Sequence, residues 1–449
     1  MSTKLNFKQM RNHVQNTLLT KNRFLFIAWC IVASFGAYFS MYAFRKPFIT
    51  GLYEGMYLWG MDYKSILIIA QVLGYMISKF TGIKVISELK PSQRIRLIIG
   101  LILFAELTLL GFGLVPYPYN FVFLFFNGLP LGMVWGIVFS FLEGRKFTEV
   151  LVFGLSISVI IASGLLKTIY LQVLEWFPWI PEFWMPFTIG ALFLPLFIVF
   201  VWMLSVIPAP TEEDVTLRTE RIPMDRSRKV KTFRFFSFGM IGMVLIYALL
   251  LTMRDFRDNF SVEIWNEIDP DWEKSVLSIT ELISGVTVLV LIGLLSLIKN
   301  NKIGFWATSA LVAIGLFGLG LSTYLYEAGV LSPFYWMVFL GIGLFMAYTP
   351  IQTVFFDRML ALYKFRANAG FFIYICDSIG YLGSVSLLMY KSFFMQDLNW
   401  HHLLVNFSYG VAIFGLLFLV IAMNHFRRIN SRGVVRKSQN YLTALESGS

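Results

Sequence analysis

The stretch FLFIAWCIVASFGAYFSMYAFRKPFITGLY, Phe24–Tyr53, decides how the rest of the chain is read. It is apolar nearly throughout and long enough to cross a bilayer, which takes about 20 residues of helix. Yet it carries Arg45 and Lys46 within YAFRKPF, Tyr42–Phe48. A cation inside a span costs roughly 2.5–3.5 kcal/mol on insertion scales, so it faces a protein interior or a wet cavity unless it snorkels to the headgroups. Ser34, Tyr38, Tyr42 and Arg45 follow at spacings of four, four and three, which stacks them on one helix face. That face is polar and aromatic, and the remainder is greasy.

The pattern returns later in the chain. Tyr247 precedes Arg254 by seven residues, as Tyr38 precedes Arg45, and Glu263 follows Arg254 by nine, as Glu54 follows Arg45. A shared offset of 209 residues implies two related halves.

Composition fixes the class. With 57% apolar, 17% aromatic and 14% charged residues, the chain is far less charged than a soluble protein. It is expected to be an all-α polytopic membrane protein with twelve spans. The first six are Phe24–Tyr53, Ser65–Ile86, Leu97–Val115, Phe121–Leu142, Val150–Val173 and Phe187–Ile207. The second six are Phe235–Phe260, Val276–Ile298, Gly304–Leu325, Phe334–Phe355, Ala369–Tyr390 and Leu403–Asn424. The domains expected are therefore a tail over 1–23, a six-helix bundle over 24–207, a linker over 208–234, a second bundle over 235–424 and a tail over 425–449. Cys30 and Cys376 fall inside spans, so neither a disulfide framework nor a metal site is suggested.

Most Lys and Arg fall on one side: in both tails, the linker, Lys84–Arg96, Arg145 and Lys146, Lys299 and Lys302, and Arg358–Arg366. The opposite loops hold Lys64, Lys274 and Lys391, which puts both termini in the cytoplasm. The net charge of +11 follows from this bias and calls for no nucleic-acid partner.

Charges left within or beside spans are Arg45, Lys46, Lys79, Lys167, Arg254 and Arg257, against Glu106, Asp255, Asp258, Glu281 and Asp377. The positive excess suits a small anionic solute, and two Arg plus a Lys suit phosphate better than a lone carboxylate. Asp255 and Asp258 could instead neutralise Arg254 and Arg257, and for Arg257 a local ion pair is the expectation. Lys79 could reach a pocket or snorkel, and Lys167 is expected to snorkel. Asp377 could pair with a cation, touch the solute or titrate. Glu106 and Glu281 could each be a proton site or hydrogen-bond between helices, and for Glu106 the interhelical hydrogen bond is the expectation. Arg45 lies about 31 Å along a helix begun at Phe24, so a central position needs tilt or an early start.

Glycines supply close packing. Gly128, Gly132 and Gly136 repeat every fourth residue around Pro130, Gly380 and Gly383 recur in the eleventh span, and Pro350 interrupts the tenth. The outer loop EIDPDWE, Glu267–Glu273, raises a different class, a membrane transferase with an Asp269-x-Asp271 metal site.

These residues carry a family resemblance. The chain resembles a major facilitator superfamily transporter, and within it is similar to the organophosphate:inorganic phosphate antiporters. YAFRKPF at 42–48 resembles that family's Tyr-x-x-Arg-Lys-x-Phe, GYMISKF at 74–80 its Tyr-Gly-Phe-Ser-Lys-Phe, and GYLGSV at 380–385 its Gly-Tyr-Leu-Gly-Gly-Ser-Val. Arg254 falls where the family has its seventh-helix Arg. The fifth-helix His has no counterpart in Gly154–Gly164, and GIKVISELKPSQR at 82–94 lacks the superfamily's Asp-Arg pair. The resemblance implies two six-helix bundles around a central site, where Arg45 and Arg254 grip phosphate, Lys46 and Lys79 add positive potential, and Tyr38, Tyr42, Tyr247 and Asp377 line the site. It implies a monomeric carrier in the cell membrane, without cofactor, that exchanges an organophosphate for phosphate. The alternative is proton-coupled carriage of another organic anion.

Overall fold

The computed structural model describes residues 22–87, 89–142, 148–208, 226–363, 369–394 and 399–431. The tail to residue 21, most of the linker, the C-terminal tail from 432, and Arg145, Lys146, Lys364 and Arg366 lie outside them. The described chain is helical apart from one small hairpin.

The first half supplies α1 (Arg23–Tyr42), α2 (Tyr63–Ser87), α3 (Arg94–Leu114), α4 (Phe121–Leu142), α5 (Thr148–Trp176) and α6 (Met185–Val206). Between α1 and α2 the strands β1 (Tyr57–Leu58) and β2 (Met61–Asp62) form a hairpin. The second half supplies α7 (Arg226–Asn259), the short α8 (Ser261–Ile268), α9 (Val276–Ser296), α10 (Asn301–Glu327), α11 (Pro333–Pro350), α12 (Phe356–Leu362), α13 (Ala369–Phe394) and α14 (Trp400–Ser431). Among the described residues, 10 helices are long and apolar enough to cross a membrane. Large apolar side chains such as Leu107, Ile198, Val290 and Phe317 stand exposed along them. Only helices whose backbone groups are satisfied within the segment can present such a surface to lipid.

Local signals set several helix ends. The Asn22 side chain accepts from the Leu25 N–H and caps α1, and Asn300 caps α10 by accepting from Lys302 and Ile303. Three expected spans are broken rather than continuous. The first stops at Tyr42 and gives way to a turn and a short 3-10 helix, Pro47–Thr50. The seventh kinks at Ser237, where φ is 1° and ψ −94°. The tenth passes from α11 through a π-helical segment, Ile351–Phe355, into α12, because Pro350 has no N–H for the ladder.

Two compact units emerge. One comprises residues of 1–219 with 272–282 and 392–396, and the other those of 220–271, 283–391 and 397–449.

Candidate functional site

In the first unit the site is built on the end of α1. The N–H groups of Ala43, Phe44 and Arg45 donate to carbonyls three residues back, which tightens the last turn to 3-10 pitch. Residues three apart eclipse at that pitch, so Arg45 comes over Tyr42, its guanidinium carbon 5.9 Å from the ring centroid. Pro47 cannot continue the ladder, and the carbonyls past the helix end need other donors. Asn127 Nδ2 of α4 donates to the Phe44 carbonyl at 3.2 Å, and Gln71 Nε2 of α2 donates to that of Arg45 at 2.9 Å. Gln71 also donates to Asn127 Oδ1 at 2.8 Å, so one buried amide pair fixes the backbone that carries Arg45.

Beyond the break, the N–H groups of Leu52 and Tyr53 donate to Glu182 Oε1 at 2.7 and 3.3 Å. Tyr53 holds the left-handed φ of 51°, a conformation that costs a non-glycine residue on the order of 1 kcal/mol. Its hydroxyl donates to the Phe48 carbonyl, locking the segment that follows the cations.

The glycine pattern places the other wall. A Cβ at Gly128 would meet the Gln71 carbonyl and the Tyr75 nitrogen, and one at Gly132 would meet Ser78 and the Tyr75 carbonyl. Gly74 in turn faces the Phe125 carbonyl, so α2 and α4 touch backbone to backbone. This contact sets Tyr75, whose ring receives two cations: the Arg45 guanidinium carbon at 4.1 Å and Lys79 Nζ at 5.6 Å from its centroid. A cation over a ring is worth about 0.5–2 kcal/mol. The two charges are less than about 10 Å apart, where their mutual repulsion is on the order of 1–2 kcal/mol at an effective dielectric near 20. Lys46, Tyr38 and Tyr42 are buried beside this cluster in sequence, and the Tyr38 and Tyr42 rings meet edge to face at 5.5 Å.

The second unit holds a hydrogen-bonded chain across α7, α11 and α13. Tyr247 Oη donates to Asp377 Oδ1 at 2.6 Å and lies 3.0 Å from Tyr348 Oη. Arg254 Nη1 donates to Tyr348 Oη at 2.7 Å. A hydroxyl has one proton to give, so with Asp377 ionised the chain runs in a single direction, from Arg254 through Tyr348 and Tyr247 to Asp377. Arg254 is also ion-paired with Asp255 at 2.7 Å, and Ser384 Oγ donates to the other Asp255 oxygen at 3.1 Å. Gly380 and Gly383 of GYLGSV face Leu251 and Thr252, which lets α13 come close enough to α7 for that bond.

Several expectations change. A local ion pair is present at Arg254, and Arg257 is buried and donates to the Met337 carbonyl at 3.2 Å. Lys167, expected to snorkel, is 2% exposed and enclosed by packing. Glu106 was expected to bond between helices, but neither carboxyl oxygen has a hydrogen-bond partner among the described residues. Both Glu267 oxygens accept N–H groups of Trp400 and His401, so that end of the acidic loop caps α14. Among the described residues no group of three or more His, Cys, Asp or Glu is placed to hold a metal. Tyr75, Gln71, Asn127 and Tyr348 were not foreseen; Tyr75 lies one turn before Lys79, and that spacing was the available signal.

Solved structures share this fold. A peptide transporter, POT, in complex with alafosfalin has a TM-score of 0.61 at 12% identity, covering 93% of this chain and 99% of its own. The nucleoside transporter NupG gives 0.59 at 15%, with 89% and 99% covered, and a D-xylose–proton symporter 0.54 at 15%, with 88% and 96%. The fold is thus the major facilitator type expected from the sequence, in an all-α multi-pass membrane protein. No curated protein matches the sequence. One family model matches residues 47–429, from the proline that ends the YAFRKPF turn almost to the end of the last helix, and the chain belongs to that family, DUF5690, a family of unknown function.

Proposed function

We propose that this chain is a secondary transporter that carries a small anionic solute by alternating access, and that it exchanges an organophosphate for inorganic phosphate. The observation that carries the reading is the convergence of Arg45 and Lys79 on the Tyr75 ring, with Lys46 buried next to Arg45. A planar guanidinium offers two parallel donors to a phosphoryl group and an ammonium adds a point charge. Tyr38 and Tyr42 line the same helix face. In the second unit Arg254 serves an anion when its pair with Asp255 opens, and Tyr247 and Asp377 tune that step. The protein works in the cell membrane with both termini cytoplasmic.

The hydrogen-bonded chain from Arg254 to Asp377 favours a second reading, proton-coupled carriage of an organic anion, in which a proton on Asp377 would turn its bond with Tyr247 round so that Tyr247 donates to Tyr348, while Arg254, which has no acceptor, goes on donating to Tyr348. Counterflow separates the two. In phosphate-loaded proteoliposomes, uptake of labelled phosphate that ignores a proton ionophore supports exchange. Collapse of uptake with the pH gradient supports symport, and no uptake of any phosphorylated or carboxylated solute rejects both.

A further inference from the structure

The wall of the first unit contains a carboxyl group for which the anion site has no use. Glu106 sits in the middle of α3, 7% exposed, with both carboxyl oxygens enclosed and lacking hydrogen-bond partners among the described residues. Opposite it on α6 is Gly190, where a Cβ would overlap Glu106 Oε2, so the missing methyl is what makes room for the acid. Among the described residues, the elements packed most closely on α3 offer no counter-charge. The sequences of α4 and α6, both packed on α3, contain no Asp, Glu, Lys, Arg, His, Cys or Tyr. On α3 itself Arg94 and Arg96 are ten or more residues away, at least about 15 Å along the axis. The turn Glu182–Trp184, also against α3, brings Glu182, whose Oε1 is taken by the Leu52 and Tyr53 N–H groups, and the turn Pro91–Gln93 brings no titratable side chain. An ionised carboxylate in such a place forfeits its hydration for nothing, whereas the neutral acid is tolerated.

We infer that Glu106 is a proton-binding site of the first unit: a carboxylic acid that holds its proton while α3 and α6 are closed around it and gives that proton to water when they part. The carboxyl O–H bond breaks, a hydronium ion and a carboxylate result, and nothing is oxidised or reduced. The position has a mechanical link to the cation cluster. The carbonyl of the neighbouring Ala105 accepts from Asn127 Nδ2 at 3.1 Å, and the same nitrogen donates to the Phe44 carbonyl. Charging Glu106 therefore disturbs the turn of α3 that is tied to the backbone of Arg45, whatever solute the cluster holds.

The test does not require transport. Purified wild type and Glu106→Gln, which is close to isosteric, are placed in lipid vesicles, and the infrared carbonyl stretch of protonated carboxylic acid is followed against pH. The inference expects a band equal to one carboxyl per chain at neutral pH in the wild type, lost as pH rises, and missing from Glu106→Gln. If Glu106→Gln fails to fold, Glu106→Asp keeps the acid but shortens its reach, and the band should persist with a displaced midpoint. A full band in Glu106→Gln, a wild-type band that ignores pH while the protein stays folded, or an unmoved midpoint in Glu106→Asp overturns it.

Discussion

At the residue scale, everything turns on how Tyr75 is used. Its ring gathers Arg45 and Lys79, so the aromatic face rather than the hydroxyl matters. Tyr75→Phe should leave anion affinity within about twofold, whereas Tyr75→Leu should weaken it by about 3- to 30-fold, the equivalent of about 0.5–2 kcal/mol of lost cation–π attraction. Calorimetric titration with phosphorylated and carboxylated solutes checks this, and equal losses in both variants would count against the role of the ring. In the second unit, Tyr247→Phe deprives buried Asp377 of its 2.6 Å donor and cuts the chain to Tyr348. The expected loss of stability is about 1–3 kcal/mol, read as a lower melting temperature. The sequence made Arg45, Lys46, Lys79, Arg254 and Asp377 conspicuous because charge within an apolar run has few bland explanations. It could not tell which acid pairs with which base. Asp255 and Asp258 were equal candidates by position, and the structure shows Asp255 bridging Arg254 and Ser384 of α13.

At the element scale, the break after Tyr42 and the crossing of α2 and α4 do the positioning. Gly128→Ala puts a methyl against the Gln71 carbonyl and the Tyr75 nitrogen. The helices must separate, at about 1–3 kcal/mol, and Tyr75 moves with them. A lower melting temperature together with weaker solute binding is expected, and a variant with wild-type binding would detach the crossing from the site. Gln71→Leu leaves the Arg45 carbonyl and Asn127 Oδ1 without their donor, again about 1–3 kcal/mol, and frees the backbone under Arg45. The close crossing was legible, since glycines at every fourth residue have few other uses in a span. The break was less so. Apolar residues continue past Arg45 to Tyr53, and hydropathy alone cannot distinguish a helix from a buried turn. The break does not shorten the path of about 31 Å from Phe24 to Arg45, since the helix from Phe24 to Tyr42 alone spans about 27 Å. The helix stops at Tyr42, and Arg45 belongs to the turn beyond it.

At the scale of the whole molecule, the all-α multi-pass class was readable because a bilayer dictates element length; ten helices meet that requirement among the described residues, against the twelve spans expected. The solute is harder to read, since the fold is shared with carriers of peptides, nucleosides and xylose. The proposed anion binding rests on the cation cluster of the first unit. Arg45→Lys preserves charge but removes the planar fork, which makes it the sharpest probe. The decisive measurement is counterflow of labelled phosphate in phosphate-loaded proteoliposomes, wild type against Arg45→Lys at matched incorporation. The account predicts saturable exchange in the wild type and a fall of at least about tenfold in the variant, equivalent to about 1.4 kcal/mol. Exchange at the wild-type rate in Arg45→Lys would contradict it.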